Sequence, residues 1–446
     1  MEMAYSIRQT TGDGYVIAGY TNSFGAGDND AYVVKTDDQG DTLWTRTYGG
    51  AGRDDARYVT QTADGGYIIA GNTFSFGATD CDYYLVKTDG AGDTLWTRRY
   101  DRPGSQDFLQ SAQPTNDGGY ILAGNSNPIG ASVMNFLLVK TDSAGDTLWT
   151  HAYGALGYDF VYSVQQTADD GFIVAGYTDP PGAPVEDAVV LKTDSNGDSL
   201  WMRTYGGMDS DKAHSVQQTD DGGYIFAGTT ISYGAGLNDF YLVKTDSNGD
   251  TLWTRTFGGS GVEIAYSVLL AADGGYVIAG SVSISGAGDC YLVKTDSAGD
   301  TLWTRILGSA SYDGVNAAGL TADGGYILAG YNYATDYNFY VIKTGPEPPN
   351  SAPLLINTPL QYSLHPNFPN PFNAATTISY DLPQTGYSSL RVFDLLGREV
   401  AVLASGVAQA GSYHITFDGS HLASGLYYAQ LETGEFSRTR KLVLLK

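Results

Sequence analysis

Cysteine, histidine and basic residues are scarce in this chain, and each scarcity closes off a class of function. Among 446 residues there are two cysteines, Cys81 and Cys290, so a disulfide framework and a cysteine-rich metal cluster are both excluded. The five histidines, His151, His214, His365, His414 and His421, are scattered along the chain. No HExxH, GxSxG or Walker sequence occurs, and the pair Gly12, Gly14 lacks the third glycine of a dinucleotide fingerprint. Lysine and arginine number 24 against 49 acids, a formal charge of −25. Such a surface repels nucleic acid and anionic membranes and favours solubility. No apolar run reaches the roughly 20 residues a membrane span needs. The opening MEMAYSIRQTTGDGY has neither a basic n-region nor an apolar h-region, so any export signal lies outside these residues.

What the chain does have is a repeat. The stretch Phe240 to Arg255, FYLVKTDSNGDTLWTR, has close copies beginning at Ala31, Tyr83, Phe136, Ala188 and Cys290, and a seventh beginning at Phe339 stops after its Lys-Thr. FYLVK is β-branched, aromatic and apolar on both faces, as in a strand covered on both sides. TDSNGD supplies the turn and TLWTR the returning strand. The Lys to Trp spacing is the same in Lys35/Trp44, Lys87/Trp96, Lys140/Trp149, Lys192/Trp201, Lys244/Trp253 and Lys294/Trp303. Ahead of each lies a second hairpin, as in TADGGYIIAG at Thr62, with its turn glycine at Gly14, Gly66, Gly119, Gly171, Gly223, Gly275 and Gly325. Four short strands in a unit of about 50 residues is the pattern of a β-propeller blade. One unit cannot cover both faces of its sheet, so neighbours stack, and a ring covers every face. The fold expected for residues 1–345 is all-β, a seven-bladed propeller whose last blade lacks one strand. Cys81 and Cys290 then fall in the second and sixth blades, too far apart to pair. Six Trp strands against seven sets of the other three suggest an N-terminally truncated reading frame or an open last blade.

The strand order, the Gly-ended second strand and the Trp in the fourth resemble the kelch layout, although kelch repeats end that second strand in Gly-Gly and this chain has Ala-Gly. Residues 346–360, PEPPNSAPLLINTPL, read as a Pro-rich linker. From Gln361 the chain alternates in period two between Gly and Pro turns, as in a small β-sandwich. The run HPNFPNPFNAATTISYDLP, the turn FDLLGREV, the segment SGLYYAQL and the ending RKLVLLK resemble the type A C-terminal sorting domain of the type IX secretion system. They are also similar to the Ig-like domain of flagellar hook-capping proteins. The first resemblance implies an Ig-like domain at 361–446 that is read by the type IX translocon, and export to the outside or outer-membrane surface of a Gram-negative cell.

Candidate site residues are few. Twelve residues before each turn glycine stands a carboxylate: Glu2, Asp54, Asp107, Asp159, Asp211, Glu263 and Asp313. If the strand that follows is innermost, they form a ring near the channel mouth. That ring is either a cation site, calcium included, or a polar floor, or else a set of caps for backbone N–H groups where the chain crosses between blades. The DSNGD turns place oxygens at alternate positions but lack the bidentate Glu of an EF-hand, so they read as hairpin turns. Phe24, Phe76, Tyr233 and Tyr333, on the variable loop between second and third strands, could stack on sugar rings or pack locally. The repeated lysines read as stems lying over apolar surface. No blade departs from the repeat with an acid, His or Arg converging on the channel. The leading expectation is a secreted or surface-attached, non-enzymatic propeller that binds or displays, its ligand a glycan or a protein. A polysaccharide hydrolase or lyase and a structural envelope spacer are the alternatives.

Overall fold

The computed structural model describes residues 1–446 except 13, 79, 132, 155–156, 180–184, 285–286, 310, 334–335, 346–362, 365–366, 368–369, 371, 383–385, 409–410, 435 and 446. The linker reading at 346–360 and His365 fall outside the described residues. No helix occurs among the described residues, and the chain divides into two compact units, Met1–Ala352 and Pro353–Lys446.

The first unit is a seven-bladed propeller. Blade 1 has strands Glu2–Gln9, Tyr15–Thr21, Asp30–Thr36 and Thr42–Tyr48, hydrogen-bonded in that order and antiparallel throughout. Five further four-stranded sheets follow at 54–100, 105–153, 158–205, 211–257 and 262–307, and a three-stranded one at 312–343. The second strand of each blade lies against the first strand of the next, and the second strand of blade 7 lies against Glu2–Gln9. Ala4, Ile7, Ile17, Ile327 and Ala329 share one buried cluster there. The ring is therefore closed by packing, with three strands in blade 7 among the described residues.

The sequence dictates this layering directly. Second and third strands such as Tyr67–Thr73 and Asp82–Thr88 are buried along their whole length, while fourth strands such as Thr251–Phe257 are largely exposed at the rim. Sheets are stitched to one another by the small polar residues of the first strand. The hydroxyl of Ser6 accepts the N–H of Val59, and Ser111, Ser163, Ser215 and Ser267 do the same for the next blade at 3.2 to 3.3 Å.

Each repeated lysine does more than cover apolar surface. Lys244 is buried along strand Asp239–Thr245, and its ammonium donates to Asp221 of the Asp-Gly-Gly turn and to the Thr245 carbonyl. Lys87, Lys140, Lys192 and Lys294 make the equivalent pairs with Asp64, Asp117, Asp169 and Asp273. The spacing hid this because the partner lies on a different hairpin. Asp273→Ala, which leaves the buried Lys294 without its carboxylate, should lower stability by about 2 kcal/mol in urea denaturation. Lys294→Met, which removes the charge as well, should cost less.

The second unit packs two sheets over one core. Ser363–Leu364, Ala375–Leu382 and Gly411–Asp418 form one sheet, and Glu399–Ala408, Gly386–Asp394, Gly425–Thr433 and Ser437–Leu444 the other. Leu364, Phe372, Tyr380, Leu390, Phe417, Leu431, Leu442 and Leu444 meet between them.

Candidate functional site

The carboxylate of each ring position stands at the start of the innermost strand, so the seven lie at one mouth of the channel. Six are buried and Glu2 is half-buried. Their oxygens turn into the blade junctions. Asp54 accepts the Gly50 N–H at 2.9 Å, the Ser75 hydroxyl at 2.7 Å and the Thr73 hydroxyl. Asp211 accepts the Gly207 N–H at 2.9 Å and the Ser232 hydroxyl at 2.6 Å. Asp313 takes the Ser309 N–H and the Asn332 amide, Glu263 the Gly259 N–H, Asp159 the Thr178 hydroxyl and Glu2 the Thr21 hydroxyl. Asp107 is buried beside Ser105, Ser126 and Arg102. Among the described residues no three acids, histidines or cysteines converge as a metal would require. In the DSNGD turns Asp246 Oδ1 likewise accepts its own backbone, from Asn248 at 2.8 Å and Asp250 at 2.9 Å.

A second carboxylate faces several of these across the junction. A Cβ added to Gly49 would lie 2.5 Å from an oxygen of Asp30 and of Asp54, and one on Gly206 would meet Asp187 and Asp211 in the same way. Burial, and then the facing acid, push Asp187 and Asp289 up from the ordinary carboxylate value, and burial pushes Glu263 up against the Gly259 N–H. Asp82 is pushed up to about 6 by burial, by Asp101 and by Asp107, against the opposing Arg99. A carboxyl with a raised folded pKa holds a proton that the unfolded chain has already released, so the folded state loses stability as pH rises through that interval. The thermal midpoint should therefore fall between about pH 4 and 6, and Asp82→Asn should flatten part of that slope in calorimetry across the range. Below it, hydrogen bonds from lysine and threonine hold Asp64 and Asp323 low, and against burial they hold Asp117 and Asp221 at about 2, so their stabilisation is lost only at more acid pH.

The four loop aromatics are exposed at the same end of the ring, on blades 1, 2, 5 and 7. Each rests on a tyrosine of its own blade's third strand: Phe24 on Tyr32, Phe76 on Tyr84, Tyr233 on Tyr241 and Tyr333 on Tyr337. They are not brought together with one another.

What is brought together was not singled out from the sequence. In every blade the first strand carries a β-bulge, and the extra residue is the third after the ring acid: Tyr5, Arg57, Gln110, Tyr162, His214, Tyr266 and Asn316. A bulge re-aims its side chain, and this position varies among Tyr, Arg, Gln, His and Asn while the next is Ser in five of seven blades. The expectation that no blade departs from the repeat is corrected here. Blade 5 brings Lys212 and His214 to the channel, and blade 2 brings Arg57, which pairs with Asp55 at 3.1 Å and covers the Tyr5 ring at 4.1 Å. The signal was available as variation at two offsets of the first strand, the residue after the ring acid and the third after it.

At the mouth, over blades 4 to 7, a cavity of about 420 Å³ has Tyr162, Lys212, His214, Tyr266, Asn238, Asn316 and Glu186 in its wall. The His214 ring lies between Tyr162, edge-on at 4.6 Å, and Tyr266, stacked at 5.6 Å. Burial, and then Lys212, push its pKa down to about 4, so the imidazole is neutral at pH 7. Its Nδ1 is 2.7 Å from the Ala265 carbonyl. A carbonyl only accepts, so Nδ1 carries the proton and Nε2 is left as an acceptor. Lys212 pairs with Glu186 at 2.8 Å and stands 4.3 Å over the Tyr177 ring. Burial pushes Glu186 up, but hydrogen bonds from Lys212 and Ser210 hold it below its ordinary value. The arrangement is a concave, mixed aromatic and polar surface with a fixed cation and a fixed acceptor. At the opposite mouth a cavity of about 440 Å³ is lined by first-strand residues such as Ser111, Gln113, Ser163, Gln165 and Gln217.

Over 134 residues the chain is 28% identical to the regulatory protein FlaEY of Caulobacter vibrioides, covering 26% of this chain and 14% of that relative. Among solved structures, Sqt1 from Chaetomium thermophilum aligns with 79% of this chain and 84% of its own at 12% identity, TM-score 0.45. The GH43 endo-arabinanase from Bacillus licheniformis aligns with 64% of this chain and 91% of its own at 12% identity, TM-score 0.29. At the C-terminus, residues 367–445 match the Secretion system C-terminal sorting domain family, so this part of the chain is such a sorting domain and the protein is exported to the cell surface or beyond.

Proposed function

We propose that the chain is an exported, non-enzymatic β-propeller that binds a carbohydrate-sized polar ligand in the cavity over blades 4 to 7, with residues 361–446 read by the type IX secretion translocon. The observation that carries this reading is the bulged position. Serines of the inner strand stitch blades together, and at blades 4, 5 and 6 the bulge supplies Tyr162, His214 and Tyr266 as adjacent walls of one cavity. Its volume of about 420 Å³ falls in the range of small-molecule sites. Aromatic faces suit the C–H faces of a sugar, and Lys212, His214 Nε2 and the two asparagines suit its hydroxyls.

Turnover is disfavoured by the same inventory. Most glycoside hydrolases need two carboxylates flanking the scissile bond, and the lining residues include one, Glu186, which is tied to Lys212. A glycan array probed with the full chain should return a set of ligands whose binding drops about ten-fold or more in Lys212→Ala and His214→Ala, with no released sugar on prolonged incubation. Ligands bound equally well by both variants would remove the cavity from the account, and accumulating products would make the protein a hydrolase or lyase.

A further inference from the structure

Among the described residues, six of the seven gaps between blades are filled by a Trp strand, and the gap between blades 7 and 1 is not. In the filled gaps the Trp ring packs against the first aromatic of the next blade's second strand, as Trp44 does on Tyr67 at 5.6 Å and Trp201 on Tyr224 at 5.7 Å. The Trp and the residue two further on also cover the turn glycine of the next blade. A Cβ on Gly92, Gly145, Gly197, Gly249 or Gly299 would meet those side chains at 2.7 to 3.1 Å, whereas one on the corresponding Gly40 would meet nothing within 4 Å.

The uncovered gap is a groove of about 560 Å³ whose walls include Tyr15, Tyr32, Val34, Phe339 and Val341. Val34 is half-buried where its counterparts Val86, Val243 and Val293 are fully buried. One side of the groove is an open sheet edge. Tyr337–Lys343 pairs with Tyr326–Tyr333 and with no other strand among the described residues, and Val341 is 40% exposed. Such an edge is a template for another strand. The charge is complementary as well. In four of the six filled gaps the arginine two residues after the Trp pairs with an aspartate of the next blade's turn, Arg46 with Asp93 at 3.3 Å, Arg98 with Asp146 at 3.2 Å, Arg203 with Asp250 at 4.0 Å and Arg255 with Asp300 at 3.1 Å. The corresponding Asp41 has no arginine partner among the described residues.

We propose that this groove is a strand-acceptor site for one extended peptide segment of the pattern Thr-Leu-Trp-Thr-Arg. The segment pairs antiparallel to Tyr337–Lys343, as all six existing fourth strands pair with their third. Its Trp lies on Tyr15 and its Arg on Asp41. Main-chain hydrogen bonds supply affinity and the Trp and Arg pockets supply selectivity.

The test is fluorescence anisotropy of a labelled peptide with the sequence of residues 250–259, DTLWTRTFGG, titrated with the full chain, and sedimentation on the same samples. Saturable one-to-one binding is expected, weakened about ten-fold or more when the peptide's Trp is replaced by Ala. Asp41→Lys in the chain should weaken the Arg peptide, and a peptide with Glu in place of that Arg should recover binding to this variant. No binding, equal binding of the Trp and Ala peptides, or a dimer of the chain that the peptide does not dissociate would each overturn the proposal.

Discussion

Trp303→Ala should lower the unfolding free energy by about 3 to 5 kcal/mol, and Trp253→Ala by about half of that. The two tryptophans occupy the same place in the repeat, but Trp303 is 5% exposed and belongs to the core of its blade junction, with Val277, Leu292, Val315 and Tyr326. Trp253, like Trp44, Trp96, Trp149 and Trp201, is only partly buried against its cluster. Arg305 also covers the Trp303 ring at 4.6 Å, closer than Arg255 covers Trp253 at 5.4 Å. Urea denaturation of the two variants checks the contrast. Equal losses would mean that the Trp strands are held by pairing along the sheet and that ring burial contributes little.

Gly228→Ala should cost about 3 kcal/mol and should also damage the cavity. The bulge in strand Asp211–Gln218 drives its backbone against the second strand, so a Cβ on Gly228 would lie 1.8 Å from the Lys212 carbonyl oxygen. Backbone atoms cannot step aside as a flexible side chain can. Lys212 and His214 flank the contact, so any relief moves the two residues that distinguish blade 5. Gly222→Ala is the control. Gly222 has φ +80° but open space around it, so it should cost about 1 kcal/mol from backbone strain alone. A mild Gly228→Ala variant would mean that the close approach does not hold the bulge in place.

The same contact explains what was legible in the sequence and what was not. The Ala-Gly pair of every second strand was visible as a period, and with the Lys to Trp spacing it gave the blade count and the all-β class, although the strand does not end there: Gly228 lies inside Tyr224–Thr230. Its cause was not visible, because the first-strand bulge that demands a glycine lies on the other side of a hairpin. The acids at Asp54 and Asp211 were found by their strict offset, and that strictness goes with the crossing geometry they hold: each donates its own N–H to the preceding blade, to Asn29 at 2.7 Å and Glu186 at 2.8 Å, while its carboxylate caps the crossing backbone. Residues that obey the repeat serve the ring. Tyr162, His214 and Tyr266 stand at a position where the repeat varies, and a search for motifs passes over them because each is an ordinary residue in an ordinary strand. In the C-terminal unit the motifs were read from local sequence alone, and the apolar residues at alternate positions, such as Leu390 and Val392, form its core.

The measurement that tests the account most directly is a crystal structure of the full chain soaked with the oligosaccharide bound most tightly on the array. The account places the sugar in the cavity over blades 4 to 7, a ring face against Tyr162 or Tyr266 and a hydroxyl donating to His214 Nε2. A sugar seated instead on the loop aromatics Phe24, Phe76, Tyr233 or Tyr333, with that cavity empty, would contradict it.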